Sequence, residues 1–341
     1  MVFDKNQKDF PSDFSREVWW WAVGIVPLNI SLTDEVKSQC TPNILKGCRQ
    51  WHMFFTELCI DMYNNEHEYL PASPRQYRDI LEYISTGGKL RKDSMVWDIT
   101  DWKAYVAKIN KSKAYHTKGI SLEQCFQALA RTGLDCEYTD ESVIFTHVKY
   151  PKIFHAMHQM EHTPDIRNTP ARYHFAHCEF RRLFKNYAEN YDELLRRVSD
   201  ESLHIAHSIH DLCKSMKVQR YIHFGTIKYK YNGIRVLDFS LHSDKYPTLR
   251  VNIGTCANTN ADLNDDEFYK ALLRQDCSIQ EIFIENVSKC DDEGHNRYVI
   301  VLNGREVSIC TCAKVKIHPR EKDMEAIFSF IAARKTSIDS I

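Results

Sequence analysis

The chain has 341 residues, with 45 Lys and Arg against 46 Asp and Glu, a formal net charge of −1, and 43% hydrophobic residues. That balance excludes general disorder and a surface that grips nucleic acid or anionic membrane all over, and the length suffices for two domains with real cores. The 11 glycines never fall into G-x-G-x-x-G, G-x-x-x-x-G-K-S/T or G-x-S-x-G, so the dinucleotide fingerprint, the P-loop and the nucleophile elbow are missing, as are H-E-x-x-H and the EF-hand loop.

Residues 1–10 carry Asp4, Lys5, Lys8 and Asp9, unlike a signal peptide, and the longest apolar run, 18–27, is too short to span a bilayer. No membrane is expected as a partner. The 12 cysteines are widely and irregularly spaced, which reads as reduced thiols in the cytoplasm, most of them small core residues.

Residues 1–85 read as a helical N-terminal domain. Within it, 31–63 is a long helical stretch without Gly except Gly47, including Trp51, Met53, Phe54, Phe55, Leu58 and Met62, and Pro74 opens a helix to Ile84. Trp19, Trp20 and Trp21 cannot share one side of a helix. The triplet reads as a wedge between packed elements, the alternative being an exposed aromatic patch for a partner. Residues 86–118 are expected as a linker region, beginning with Thr-Gly-Gly-Lys-Leu-Arg-Lys at 86–92.

Residues 119–341 read as an α+β domain. Ser121 and Gln124 form a capping-box pattern for a helix ending at Gly133, followed by strands at 134–138 and 143–148 and helices at 150–161 and 191–216. Asn232-Gly233 and Asn303-Gly304 stand between alternating strands, the strongest short-range hairpin signal. A third strand, 248–253, lies beside the first hairpin. A helix follows at 265–273, and Pro319 opens a last one to Arg334 with Met324, Ile327, Phe328 and Ile331 on one stripe. The fold class is α+β: a helical N-terminal part, then a mixed part with antiparallel hairpins and a C-terminal helix.

The second hairpin carries the sharpest chemical pattern. A two-residue turn at Asn303-Gly304 pairs Leu302 with Arg305, and, continued outward, Arg297 with Cys310 and His295 with Cys312. The core face is then Tyr298, Ile300, Leu302, Val307 and Ile309, which leaves both cysteines on the more polar face. Cys290 lies five residues before His295, so Cys290, His295, Cys310 and Cys312 form a candidate Cys3His site for Zn2+, whose preferred ligands are thiolate and imidazole. Cys-x-Cys departs from the usual Cys-x2-Cys knuckle, and an ordinary covered strand face is the competing reading.

Ten of the 16 histidines fall between 147 and 223. His155, His158 and His162 share a helical face, as His204, His207 and His210 nearly do, and Glu201 precedes His204 at the Glu-x-x-His spacing of di-iron bundles. A divalent metal between the two histidine faces competes with ordinary solvated or hydrogen-bonded histidines. The string His210-Asp211-Leu212-Cys213-Lys214 resembles the His-Asp core of HD-type phosphohydrolases, where the adjacent side chains bind a metal that activates water. The resemblance covers five residues. Family members usually carry Gly where Cys213 stands and continue with helices bearing a further ligand, whereas this chain turns to strands by Tyr221.

Charge is uneven. Residues 149–250 hold 17 Lys and Arg against 11 Asp and Glu, and 257–296 hold three against ten. In the first hairpin Lys230 is expected opposite Arg235 and His223 opposite His242, like charges that an anion or nearby carboxylate would relieve. Lys228 and Lys230, alternating with Tyr229 and Tyr231, suit a nucleic-acid sheet face and equally an ordinary half-exposed strand.

These patterns define three readings. The first is a cytoplasmic protein that binds a small molecule or a protein partner and carries a structural zinc ion at Cys290, His295, Cys310 and Cys312. The second is a metal-dependent hydrolase using segment 147–223, with His207, His210 and Asp211 as catalytic candidates. The third is nucleic-acid binding by segment 149–250.

Overall fold

The computed structural model describes residues 3–25, 34–111, 121–162, 191–195, 198–223, 226–240, 249–255, 266–288 and 297–341. The chain folds as two units, Met1–Ala188 and Glu189–Ile341. Both mix helices with antiparallel strands, and the fold is α+β.

In the first unit, α1 (Asp13–Ile25), α2 (Asp34–Gln39), α3 (Pro42–Asn64) and α4 (Pro74–Thr86) precede a hairpin of β1 (Lys89–Arg91) and β2 (Ser94–Asp98). Then come α5 (Ile99–Lys111), α6 (Leu122–Ala130), β3 (Leu134–Tyr138), β4 (Ser142–His147) and α7 (Ile153–His162). Thr41 starts α3 by accepting from the Ile44 amide, with Pro42 in the first turn where no N–H is needed. Its buried residues, Cys48, Trp51, Phe54, Phe55, Leu58, Cys59 and Met62, recur at three and four and make the helix the core's axis. Gly47 lets α7 approach closely: a Cβ there would lie 2.3 Å from the Lys152 carbonyl oxygen. Trp19 and Trp21 are buried and Trp20 half-buried, with the Trp19 indole donating to the Asp4 carbonyl at 2.9 Å. The triplet is a wedge, as its spacing requires.

Helix α6 opens with the expected reciprocal cap: Gln124 N–H donates to Ser121 Oγ at 3.3 Å and Ser121 N–H to Gln124 Oε1 at 2.8 Å. Strands β3 and β4 sit in an antiparallel sheet of order β1-β2-β4-β3. The expected linker at 86–118 is folded over its described part. β2 pairs with β4, Met95 and Trp97 are buried, and the Trp97 indole donates to the Ile84 carbonyl at 2.8 Å. Gly87 and Gly88 lie against Trp97 and Met95, so the glycine pair signals close packing rather than a loose connection. The units therefore divide at 188/189 and not at 85 and 119; residues 112–118 lie outside the described residues.

The second unit opens with two helices where one was expected, α8 (Tyr191–Leu195) and the longer α9 (Asp200–Ser215), the latter capped by Ser199. Strands β5 (Gln219–His223), β6 (Thr226–Tyr231), β7 (Ile234–Ser240), β8 (Arg250–Gly254) and β11 (Lys314–Ile317) form an antiparallel sheet of order β11-β8-β7-β6-β5. Between β8 and β11 come α10 (Glu267–Leu273), α11 (Cys277–Asn286) and the separate hairpin β9 (Arg297–Leu302) with β10 (Arg305–Cys310); α12 (Met324–Asp339) follows. Its buried residues form two stripes rather than the one expected, because Ser337 bonds Asp266 at the start of α10 at 2.7 Å while Arg334 donates to the Arg235 carbonyl at 3.1 Å.

Both Asn-Gly turns form, with Asn232 at φ 48°, Gly233 at 79°, Asn303 at 48° and Gly304 at 71°, the left-handed conformations that a two-residue turn requires. The second hairpin keeps the expected register from Arg305↔Leu302 to Cys310↔Arg297. The first begins as expected, Tyr231↔Ile234 and Lys230↔Arg235, then slips at a bulge, so that Tyr229 faces Leu237, Lys228 faces Asp238 and Ile227 faces Phe239. The slip matches Tyr229 and Ile227 with Leu237 and Phe239, all fully buried, where the unbulged register would have set Tyr229 opposite Val236 and Ile227 opposite the carboxylate of Asp238. His223 pairs with Thr226 of β6; its expected partner His242 lies outside the described residues.

Candidate functional site

Cys310 ends β10, buried, opposite Arg297. The strand does not run on to 312. Thr311 and Cys312 make a turn in which Ala313 N–H donates to the Cys310 carbonyl at 2.9 Å, and the chain then enters β11 at the edge of the five-stranded sheet. The described ladder thus stops at Cys310 and does not bring 312 opposite 295; Cys290 and His295 lie outside the described residues. The turn nevertheless brings the two cysteines together: the sulfurs are 3.1 Å apart and Cys312 N–H donates to Cys310 Sγ at 3.4 Å. Both are thiols, Cys312 exposed and Cys310 buried.

The residues that bracket segment 289–296 are anchored beside this turn. Ser288 N–H donates to the Lys314 carbonyl at 2.8 Å, and Lys314 N–H returns a bond to Ser288 Oγ at 2.9 Å. At the other end Arg297 is the ladder partner of Cys310. Sequence reasoning did not single out Lys314. Burial, then the Arg235 charge, push its ammonium pKa down, while Asp238 and Cys312 act in the opposite direction. Its position two residues after Cys312, with the same alternation into β11, was the available signal.

The catalytic candidates lie on α9. His210 is half-buried, and His207 and Asp211 are exposed. His210 Nε2 is 3.4 Å from Arg220 Nη1 and Nδ1 is 3.2 Å from the Tyr229 hydroxyl. Because guanidinium only donates, Nε2 accepts and Nδ1–H donates to Tyr229. Neither nitrogen is offered to a metal while these bonds stand. Arg220 also lies 4.1 Å from the centroid of Tyr191, whose ring is 5.3 Å from that of His210. Burial, then the Arg220 charge, depress the His210 pKa. The partners Tyr191, Arg220 and Tyr229 come from other elements, beyond the reach of helical spacing.

The two histidine helices, α7 and α9, belong to different units. In the first, His155 Nε2 and Lys152 Nζ both contact Asp93 Oδ1, the histidine at 3.1 Å; in the second, His204 Nε2 lies 3.8 Å from Glu321 Oε1. Among the described residues no group of three or more His, Cys, Asp or Glu side chains comes together as a metal site.

In the basic segment Lys230 does face Arg235. The carboxylate that relieves the like charges is Asp238, 3.1 Å from Arg235 and accepting from the Asn252 amide at 2.7 Å. Lys228, Asp238, Asn252 and Lys316 form one rung across β6, β7, β8 and β11, so the basic residues share their row with an acid. Among the described residues, no helix is long and apolar enough to cross a membrane. No protein-family model, curated protein or solved structure matches this chain.

Proposed function

We propose that the second unit is a zinc-stabilised binding module of the cytoplasm, taking a small-molecule or protein partner, in which Cys310 and Cys312 hold Zn2+ together with Cys290 and His295. The observation that carries this reading is the 3.1 Å approach of the two sulfurs at the turn between β10 and β11. Tetrahedral Zn–S bonds of about 2.3 Å put two ligand sulfurs about 3.8 Å apart, so a small side-chain rotation suffices. The anchors add support: Cys290 is two residues from Ser288, and His295 is two from Arg297. Two residues span at most about 7 Å, so chain length permits both to reach the turn. Zinc would tie the hairpin β9–β10 to the edge strand β11. The hydrolase reading has less support, since both His210 nitrogens face partners, and so has a nucleic-acid face, since Asp238 stands among its lysines.

Metal analysis of protein purified without chelator tests the reading. About one zinc per chain is expected, lost in the Cys310→Ser, Cys312→Ser double variant. Metal-free protein, or zinc retained by that variant, would overturn it.

A further inference from the structure

We propose that Cys310 and Cys312 are in addition a thiol–disulfide exchange site, in which exposed Cys312 attacks a small-molecule disulfide and buried Cys310 resolves the product. Three features of the turn assign these roles. The sulfurs lie 3.1 Å apart, about 1 Å from the S–S bond length and reachable by side-chain rotation without moving strands. Cys312 is exposed, so a disulfide of glutathione size can approach it, whereas Cys310 is 4% exposed and reaches an incoming reagent only through its neighbour. The Cys312 amide donates to Cys310 Sγ at 3.4 Å, holding the buried sulfur toward the exposed one.

The exchange balances in two steps. Cys312 sulfur bonds to one sulfur of RS–SR, the RS–SR bond breaks, and the first RS leaves as RSH with the thiol proton. Cys310 sulfur then bonds to Cys312 sulfur, the mixed disulfide breaks, and the second RS leaves with the Cys310 proton. Two cysteine thiols are oxidised and one disulfide is reduced to two thiols. The site does not require zinc, because it needs only the pair. It competes with zinc, however, since a sulfur in the Cys310–Cys312 disulfide is no longer a thiolate ligand. Oxidation would then release the clip between the hairpin and β11.

The full chain, stripped of metal and reduced, is exposed to glutathione disulfide, quenched with an alkylating reagent and mapped by peptide mass spectrometry. The expected product is an intrachain disulfide between Cys310 and Cys312. Cys310→Ser should accumulate the glutathione adduct on Cys312, and Cys312→Ser should slow adduct formation at 310 by at least about tenfold, because access limits exchange. Both thiols alkylated after exposure, or Cys312 joined to a cysteine other than Cys310, would overturn the proposal; the wild-type map alone decides this, whatever the variants' folding. Repeating the exposure on zinc-loaded chain separates the two readings. A chain that binds no zinc but closes the disulfide rejects only the zinc module, and a chain that binds zinc but stays dithiol when stripped rejects only the exchange site.

Discussion

His147 in the first unit and His210 in the second are both pushed toward the neutral form by burial, yet they sit in opposite kinds of surroundings. His147 is 2% exposed, packed edge-on against Phe54 at 5.2 Å and against Tyr150, whose amide it accepts through Nδ1 at 3.2 Å, and its pKa falls to about 4. His210 is half-buried and hydrogen-bonded through both nitrogens to a phenol and a guanidinium. The first unit encloses His147 in an aromatic core. The second places polar and thiol groups where helix meets sheet or hairpin meets edge strand. The proposed thiol exchange belongs to the second, where Cys312 is open to solvent, and proton-linked stability is expected in the first, at His147. All six tryptophans, at 19, 20, 21, 51, 97 and 102, fall in the first unit, so their fluorescence reports on that unit.

The largest effect is expected from Phe54→Ala. The ring is fully buried against Trp51 and His147, and its removal should cost about 4 kcal/mol. The unfolding free energy obtained from denaturant titration by tryptophan fluorescence should fall by that amount; an unshifted midpoint would mean that this core does not hold the unit together. Next comes acid. With His147 at about 4 when folded against 6.5 when unfolded, the unfolded state binds the extra proton between those values. Its contribution is therefore complete above about pH 6.5 and about 3 kcal/mol is lost as pH falls to about 4. Denaturation by fluorescence across this range should show the slope, and His147→Gln should flatten it; equal slopes in both proteins would assign the acid sensitivity elsewhere.

Smaller effects are expected in the second unit, read by far-ultraviolet circular dichroism beside an unchanged fluorescence transition. Gly233→Ala meets no atom within 4 Å, so its cost is the left-handed backbone alone, about 1 kcal/mol. A much larger loss would show that the turn is packed. Smallest is Val299→Thr on the exposed face of β9, expected within about 0.5 kcal/mol. A larger change would reveal that this face is covered.

Local signals carried much of the fold. The Ser121–Gln124 cap, Pro74 at a helix start and both Asn-Gly turns act within a few residues, and each appears where its chemistry requires, whereas the helix start at Pro42 divides what reads as one stretch over 31–63. The site was legible in part. The turn at Asn303-Gly304 set the register as far as Cys310↔Arg297, but the break after Cys310 depends on β11 joining β8 in another sheet. The bulge between Lys230 and Tyr229 likewise answers to burial of Leu237 and Phe239. Glycines mislead when read alone: Gly87-Gly88 reads as a linker and turns out to be the surface on which Trp97 and Met95 pack.

The sequence by itself determined the α+β class, the helix caps, the two tight turns and the Cys-x-Cys spacing, because these depend on backbone preferences and neighbours a few residues apart. Tertiary structure alone decided the division at 188/189, the slipped register of the first hairpin, the partners of His210 and the meeting of Cys310 with Cys312 in a turn. Those outcomes depend on which apolar surfaces from distant segments can be buried together, a long-range condition that no local pattern contains.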